Sequence, residues 1–276
     1  MSDVKNIKRM KLYRHPERIY NELAAAGWKK DIPLKAGDVS PFDQYHYLGT
    51  AAVDDAICSL DIGPGSRIID IGSGIGGPAR YMAEKTGCRV TALELQLDLH
   101  NIACSLTERC GLSGSVRHVC GDILDFPEEH CDFDAAVSWL SFLHIPDRLS
   151  LLKKCYNILN PDGKMFIEDF YRCGGFDEEE TKILSEDVYC DYLPTSEEYR
   201  EQLTGSGFTE VELVDKTGCW KNFAKERMEK FIENRGRHVE VHNVEIVEEL
   251  EAFYKKMSQL FDSNNLGGLR IIAKKG

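Results

Sequence analysis

The chain's absences narrow its function first. No Cys-x-x-Cys pair occurs in its 276 residues, although ten cysteines are present. They are scattered, and Cys58, Cys104, Cys120 and Cys155 fall inside expected helices or strands, so reduced thiols are expected rather than a disulfide framework. Positive charge is also short: 34 Lys and Arg face 46 Asp and Glu, a net charge of -12. Nucleic-acid binding draws most of its affinity from basic contacts to phosphate, so this balance argues against a DNA or RNA partner. Long apolar runs are missing as well. Nothing approaches the ~20 residues of a spanning helix, and Met1 to Lys11 is polar and basic without a secretory core. Asp3 and the lack of an amphipathic Arg/Ser pattern argue against an organelle signal, so the expectation is a soluble, cytoplasmic protein. What remains, with 42% apolar residues, is enough chain for one large domain or a domain with a cap.

The most informative stretch is Ser66-Arg67-Ile68-Ile69-Asp70-Ile71-Gly72-Ser73-Gly74-Ile75-Gly76-Gly77. A short apolar run ends around Asp70 and opens into glycines, the pattern of a buried strand feeding a tight turn along which a ligand lies close to the backbone. Two more apolar runs end on acids, Arg89 to Leu93 at Glu94 and Val116 to Gly121 at Asp122. Carboxylates at the tips of neighbouring parallel strands share one sheet edge, where such folds hold nucleotide-like ligands. Glu94 is spaced to accept from both hydroxyls of a ribose, and Asp122 from an adenine amine. Gly72-x-Gly74-x-x-Gly77 also satisfies the dinucleotide fingerprint, so a nicotinamide-dependent oxidoreductase stays open from these residues.

Further strands are expected at Phe133 to Ser138, Gly163 to Phe170 behind an Asn160-Pro161-Asp162-Gly163 turn, Phe208 to Val214 and Leu269 to Ala273. Helices are expected at Pro78 to Thr86, Leu97 to Cys110 and Arg148 to Leu159. Before the core, residues 1–60 read as a helical preface: a helix from His15 to Leu23 stopping near Gly27, a turn-rich loop to Ser40, and a helix from Asp54 to Leu60. Residues 61–276 read as the core, with a helical cap inserted at about 220–262.

The glycine turn, Glu94, Gly121-Asp122 and the strand at Phe133 together resemble the class I S-adenosylmethionine-dependent methyltransferases, from about residue 40 to the C-terminus. The resemblance implies an α/β, Rossmann-like seven-stranded sheet with strand seven antiparallel, and S-adenosyl-L-methionine as cofactor. It implies cofactor contacts from Gln44, Asp70, Gly72, Ser73, Gly74, Gly76, Glu94, Leu95, Gln96, Asp122, Ile123 and Ser138. Phe142-Leu143-His144 looks like the phosphoethanolamine and sarcosine/dimethylglycine N-methyltransferases, where a histidine faces the acceptor. Leu140 occupies the position at which those enzymes commonly carry an aspartate.

Methyl transfer is an in-line displacement that asks mainly for alignment and exclusion of water. An amine acceptor must first lose its proton, and an alcohol or phenol benefits from a nearby base. His144, Tyr45 and His46 are the expected catalytic candidates. Trp139, Leu140, Tyr47, Tyr189 and Tyr192 are the expected acceptor-pocket residues, with Tyr199 reading equally as core. In an extended 44–48 loop, Tyr45 and Tyr47 would face one way and Gln44 and His46 the other. Asp177 to Glu180 reads as a solvated helix start. His238 and His242, at i and i+4, have the spacing of a metal pair, but no third ligand is evident and no metal is expected.

The expected function is therefore methyl transfer to a small molecule, most simply an amine nitrogen of the sarcosine/dimethylglycine or phosphoethanolamine kind. An O- or C-methyltransferase for a phenol or sterol, and a non-catalytic S-adenosylmethionine-binding protein, are the alternatives.

Overall fold

The computed structural model describes residues 13–128 and 132–276, so the Met1 to Lys11 reading falls outside the described residues. A seven-stranded sheet forms the centre: β1 (Arg67–Ile71), β2 (Arg89–Glu94), β3 (Val116–Cys120), β4 (Phe133–Trp139), β5 (Leu159–Arg172), β6 (Phe208–Asp215) and β7 (Leu266–Lys275). Their order across the sheet is β3-β2-β1-β4-β5-β7-β6. The pairs linking β1 to β5 are parallel, whereas β7 runs antiparallel between β5 and β6. This is the Rossmann-like methyltransferase topology. Ile68, Ile69 and Ile71 are all buried because parallel strands are covered on both faces.

The register positions the chemistry. Asp70 lies opposite Ala92 on β2 and Val137 on β4, and Glu94 opposite Cys120, so the β1, β2 and β3 ends share one edge. Strand order reverses direction at β1 and β4, and the crevice at that switch point is where an open α/β sheet holds its ligand. Around the sheet lie α4 (Gly77–Thr86), α5 (Leu97–Arg109), α6 (Arg148–Ile158), α7 (Glu178–Ile183) and α8 (Ser196–Gly205). Pro78 at the first turn of α4 is tolerated because its missing N–H has no partner there.

The preface is α1 (Arg18–Ala25), α2 (Ala36–Asp43) and α3 (Thr50–Ser59). A helix at 36–43 replaces the end of the loop expected up to Ser40, with Pro41 accommodated in so short a helix. The cap is three helices, α9 (Thr217–Glu233), α10 (Arg235–Val241) and α11 (Val244–Asp262). Its apolar side, including Trp220, Leu250, Phe253, Met257 and Phe261, forms one cluster with Tyr47 of the preface and Phe170 of β5. Strands β5 and β7 run longer than expected because they pair continuously from Arg172 with Leu266 to Lys164 with Lys274. Among the described residues no helix is long and apolar enough to cross a membrane.

Candidate functional site

The glycine turn after β1 is built from backbone bonds and one carboxylate. Gly72 and Ser73 donate to the Leu93 carbonyl at 2.9 and 3.0 Å. Glu94 accepts from Gly74 N–H through Oε2 at 2.8 Å and from Gln96 N–H through Oε1 at 2.9 Å. The buried Glu94 thus ties the turns after β1 and β2 together, and each oxygen keeps a lone pair for a ligand hydroxyl. Burial raises its pKa, with the Gln96 and Gly74 bonds opposing that rise. Gly72 and Gly74 adopt φ of 73° and 55°. A Cβ on Gly72 would lie 2.3 Å from Ser141 Cβ, whereas one on Gly74 would meet none of the described residues within 4 Å. Gly72 therefore answers to packing as well as conformation, and Gly74 to conformation alone.

Asp70 carries the strongest electrostatic signal. It is 1% exposed, and its Oδ2 has no hydrogen-bond partner among the described residues. Burial, and then Glu94, push its carboxyl from 3.8 up to about 8. A buried carboxylate without a partner is costly, so the site is complementary to a cationic or donating group. Ser73 Oγ is likewise buried without a partner among the described residues. These orphaned atoms fit an amino-acid ammonium, and Glu94 with Asp122 fits a nucleoside, so the residues present suit S-adenosyl-L-methionine.

Two cavities flank this turn and share Tyr13, Gly72 and His144. One, of about 150 Å³, is walled by Glu94, Leu95, Gln96, Gly121, Asp122 and Ile123. The other, of about 70 Å³, is walled by Asp70, Ser73, Gly74, Tyr45, His46, Tyr47, Trp139 and Leu140 with side chains from the cap. A larger cavity of about 840 Å³ between preface and cap contains neither the glycine turn nor the strand-end acids, so it is not the nucleoside site despite its size.

His144 stands in the wall of both smaller cavities. Its Nδ1 lies 3.2 Å from the Tyr189 carbonyl, which only accepts, so Nδ1 carries the proton and Nε2 the lone pair. Burial, opposed by that bond, lowers its pKa to about 4, leaving the ring neutral near pH 7. His46 is also lowered to about 4 by burial, and its Nε2 donates to the Gly49 carbonyl at 3.0 Å. Its free lone pair is therefore on Nδ1. Tyr47 stacks on Trp220 at 4.9 Å, and Arg227 donates to the His46 carbonyl at 2.8 Å, fastening this segment to the cap.

Several expected residues lie elsewhere. Tyr45, His46 and Tyr47 all reach the same cavity, against the alternation expected, because Gln44 ends a helix and Leu48 turns with φ of 62°, so the segment is not extended. Gln44 instead bonds Asp43 and faces the large cavity. Ser138 is fully buried beneath the turn, donating to the Ile71 carbonyl at 2.8 Å beside Ser141, and is absent from the cavity walls. Gly76 packs against Arg80 and His118, each 2.8 Å from where its Cβ would be. Tyr189 contributes its carbonyl rather than a wall, and Tyr192 is 38% exposed, its hydroxyl accepting from Gln202. Tyr199 is buried in the core, bonded to Asp169.

Sequence reasoning missed Tyr13, which walls both cavities and whose hydroxyl pKa is raised by burial, then by Glu94 and Tyr45. It also missed the buried ion pair of Asp43 and Arg80 at 2.9 Å, which fastens α2 beside the turn.

Comparison with known proteins agrees with this geometry. Residues 68–163 match a family described as a methyltransferase domain. The sarcosine/dimethylglycine N-methyltransferase of Halorhodospira halochloris is 30% identical over 58% of this chain and 57% of its own. Phosphoethanolamine N-methyltransferase 1 of Zea mays is 29% identical over 68% of this chain and 37% of its own. The chain thus spans well under two thirds of these relatives. Phosphoethanolamine N-methyltransferase 2 of Haemonchus contortus, solved with phosphomonomethylethanolamine and S-adenosylhomocysteine, superposes with a TM-score of 0.79 at 23% identity, covering 84% of this chain and 54% of that one. That likeness concerns the fold.

Proposed function

From the match of residues 68–163 to a family described as a methyltransferase domain, we propose that this chain is an S-adenosyl-L-methionine-dependent methyltransferase acting on a small amine. The observation that carries the reading is the buried Asp70 carboxyl at the glycine turn, its Oδ2 without a partner among the described residues, with Glu94 and Asp122 on one side and an aromatic cavity on the other. Asp70 and Ser73 hold the amino-acid end of the cofactor, Glu94 the ribose, and Asp122 with Ile123 the base. When bound, the cofactor supplies an electrophilic sulfonium methyl group.

The chain's own residues align and desolvate. Trp139 and Phe170 line the cavity with aromatic rings that attract an ammonium as methyl groups accumulate, whereas Arg18 and Arg227 already lie over the rings of Tyr45 and Tyr47. His144 Nε2 offers its lone pair to an N–H of the acceptor amine, orienting it, and the ring's low pKa keeps that lone pair free of a proton at neutral pH. Tyr13 and Tyr45 of the preface exclude water from one side and Phe253 and Met257 of the cap from the other. Cavities of about 150 and 70 Å³ fall short of the ~300 Å³ at which ligand pockets begin, so loading requires these covering segments to move.

Support for an amine comes from the relatives named as N-methyltransferases. Leu140, with Leu143, Val188, Phe253 and Met257, makes the acceptor cavity predominantly apolar, and this favours an oxygen or carbon acceptor as the second reading. Release of demethylated cofactor, measured against glycine, sarcosine, dimethylglycine, phosphoethanolamine, histamine-like amines, phenols and a sterol, decides between them. Turnover of one polar amine is the expected result. Cofactor binding with turnover only of a phenol or sterol overturns the amine assignment, and cofactor binding with no turnover overturns the enzyme.

A further inference from the structure

The face where preface meets cap brings together three residues the mechanism does not use. Glu22 comes from α1, and His238 and His242 from one face of α10 and its end. One ligand atom of each lies within 4.8 Å of the others. Glu22 Oε1 is 2.9 Å from His242 Nε2 and 4.0 Å from His238 Nδ1. Tetrahedral zinc at ~2.0–2.1 Å from nitrogen and oxygen ligands sets those atoms about 3.3 Å apart, a value the two distances bracket.

We propose that Glu22, His238 and His242 form a zinc-class divalent-metal site that clasps the preface to the cap. The three side chains are 15%, 17% and 3% exposed, so the site is sheltered but reachable. Its orientation is already set from outside. Arg237 grips both Glu22 oxygens, Nη2 to Oε2 at 2.6 Å and Nη1 to Oε1 at 3.3 Å, which fixes the carboxylate with Oε1 beside His242, and His238 stacks on Phe231 with centroids 4.3 Å apart. His238 Nδ1 has no hydrogen-bond partner among the described residues, as expected of a buried atom awaiting a ligand. All three residues wall the 840 Å³ cavity, which leaves room for a fourth, solvent-derived ligand. Arg237 shares Glu22, so the affinity falls short of a four-ligand structural site. This inference is independent of the methyltransferase reading.

The test is a zinc titration by calorimetry of the reduced, metal-free full chain and of its His238→Gln and His242→Gln variants, with cobalt absorption beside it. The expected result is one equivalent bound by the parent, at least about tenfold weaker binding in each variant, and cobalt bands of tetrahedral nitrogen and oxygen ligation. Hydrogen exchange at 18–25 slows on zinc addition in the parent alone. Melting without metal identifies a variant that failed to fold; His238, the more exposed of the two histidines, then carries the comparison. No binding by the parent, equal binding by the folded variants, or thiolate-to-cobalt charge transfer from the ten cysteines would each overturn the site.

Discussion

Replacing Asp70 by Asn should make the cofactor-free protein more stable while weakening its grip on the cofactor. Asp70 is pushed from 3.8 to about 8, so between those values the folded protein holds a proton that the unfolded chain has released. Stability therefore falls as pH rises through that window, and the full penalty is reached above pH ~8. At pH 7 the solution lies about 3 units above the unfolded value, and at ~1.4 kcal/mol per unit the penalty is about 4 kcal/mol. Asparagine has the same shape and no charge to desolvate. At 2–4 °C per kcal/mol, Asp70→Asn should melt about 10 °C higher than the parent near pH 7. The gap should shrink to below about 1 kcal/mol by pH 4, close to the unfolded value of 3.8, below which Asp70 keeps its proton in both states. Thermal melts from pH 4 to 8 measure this directly. A cationic ligand draws Asp70 into its ionised form, so parent affinity should rise with pH below ~8, by up to about tenfold per unit, with proton release seen in buffers of different ionisation enthalpy. A variant no more stable than the parent at pH 7, or a stability gap indifferent to pH, refutes the reasoning.

Other changes separate the roles of neighbouring residues. Asp70→Ala and Glu94→Ala should both weaken cofactor binding by calorimetry; unchanged affinity in both would remove the glycine turn from the cofactor site. His144→Gln should lower kcat by about 100-fold while leaving cofactor affinity near the parent's, because it displaces the lone pair that orients the acceptor amine rather than a nucleoside contact. Gly72→Ala and Gly74→Ala share a positive φ but differ in surroundings. Denaturant melts should therefore show Gly72→Ala losing about 1–3 kcal/mol more, from the clash with Ser141. Asp43→Asn strands the buried Arg80 charge and should cost about 3–5 kcal/mol in the same assay.

The parts of this molecule that were legible in its sequence are those in which a local pattern and a tertiary position coincide. The apolar runs closing on Asp70, Glu94 and Asp122 are strands because parallel strands are buried on both faces, and their acids share an edge because parallel register allows nothing else. The same logic failed wherever a residue's neighbour comes from elsewhere. Ser138 and Gly76 sit in the right motif, yet one is turned under the loop by the Ile71 carbonyl and the other is held against Arg80 and His118. Gly267 and Gly268 hid the start of β7, since their use is to admit Tyr171 and Trp220, not to follow a strand pattern. Tyr13 belongs to no periodic element, and it closes both cavities only because the preface folds back over the sheet edge. Glu22 carries the point furthest. His238 and His242 had the spacing of ligands, but whether i and i+4 histidines meet a third donor depends on how α1 lies against α10, a contact between distant parts of the chain that no local period encodes. Motif reading thus locates the sheet edge and the turn. The covering segments, which set what the acceptor cavity admits, follow from packing between preface and cap.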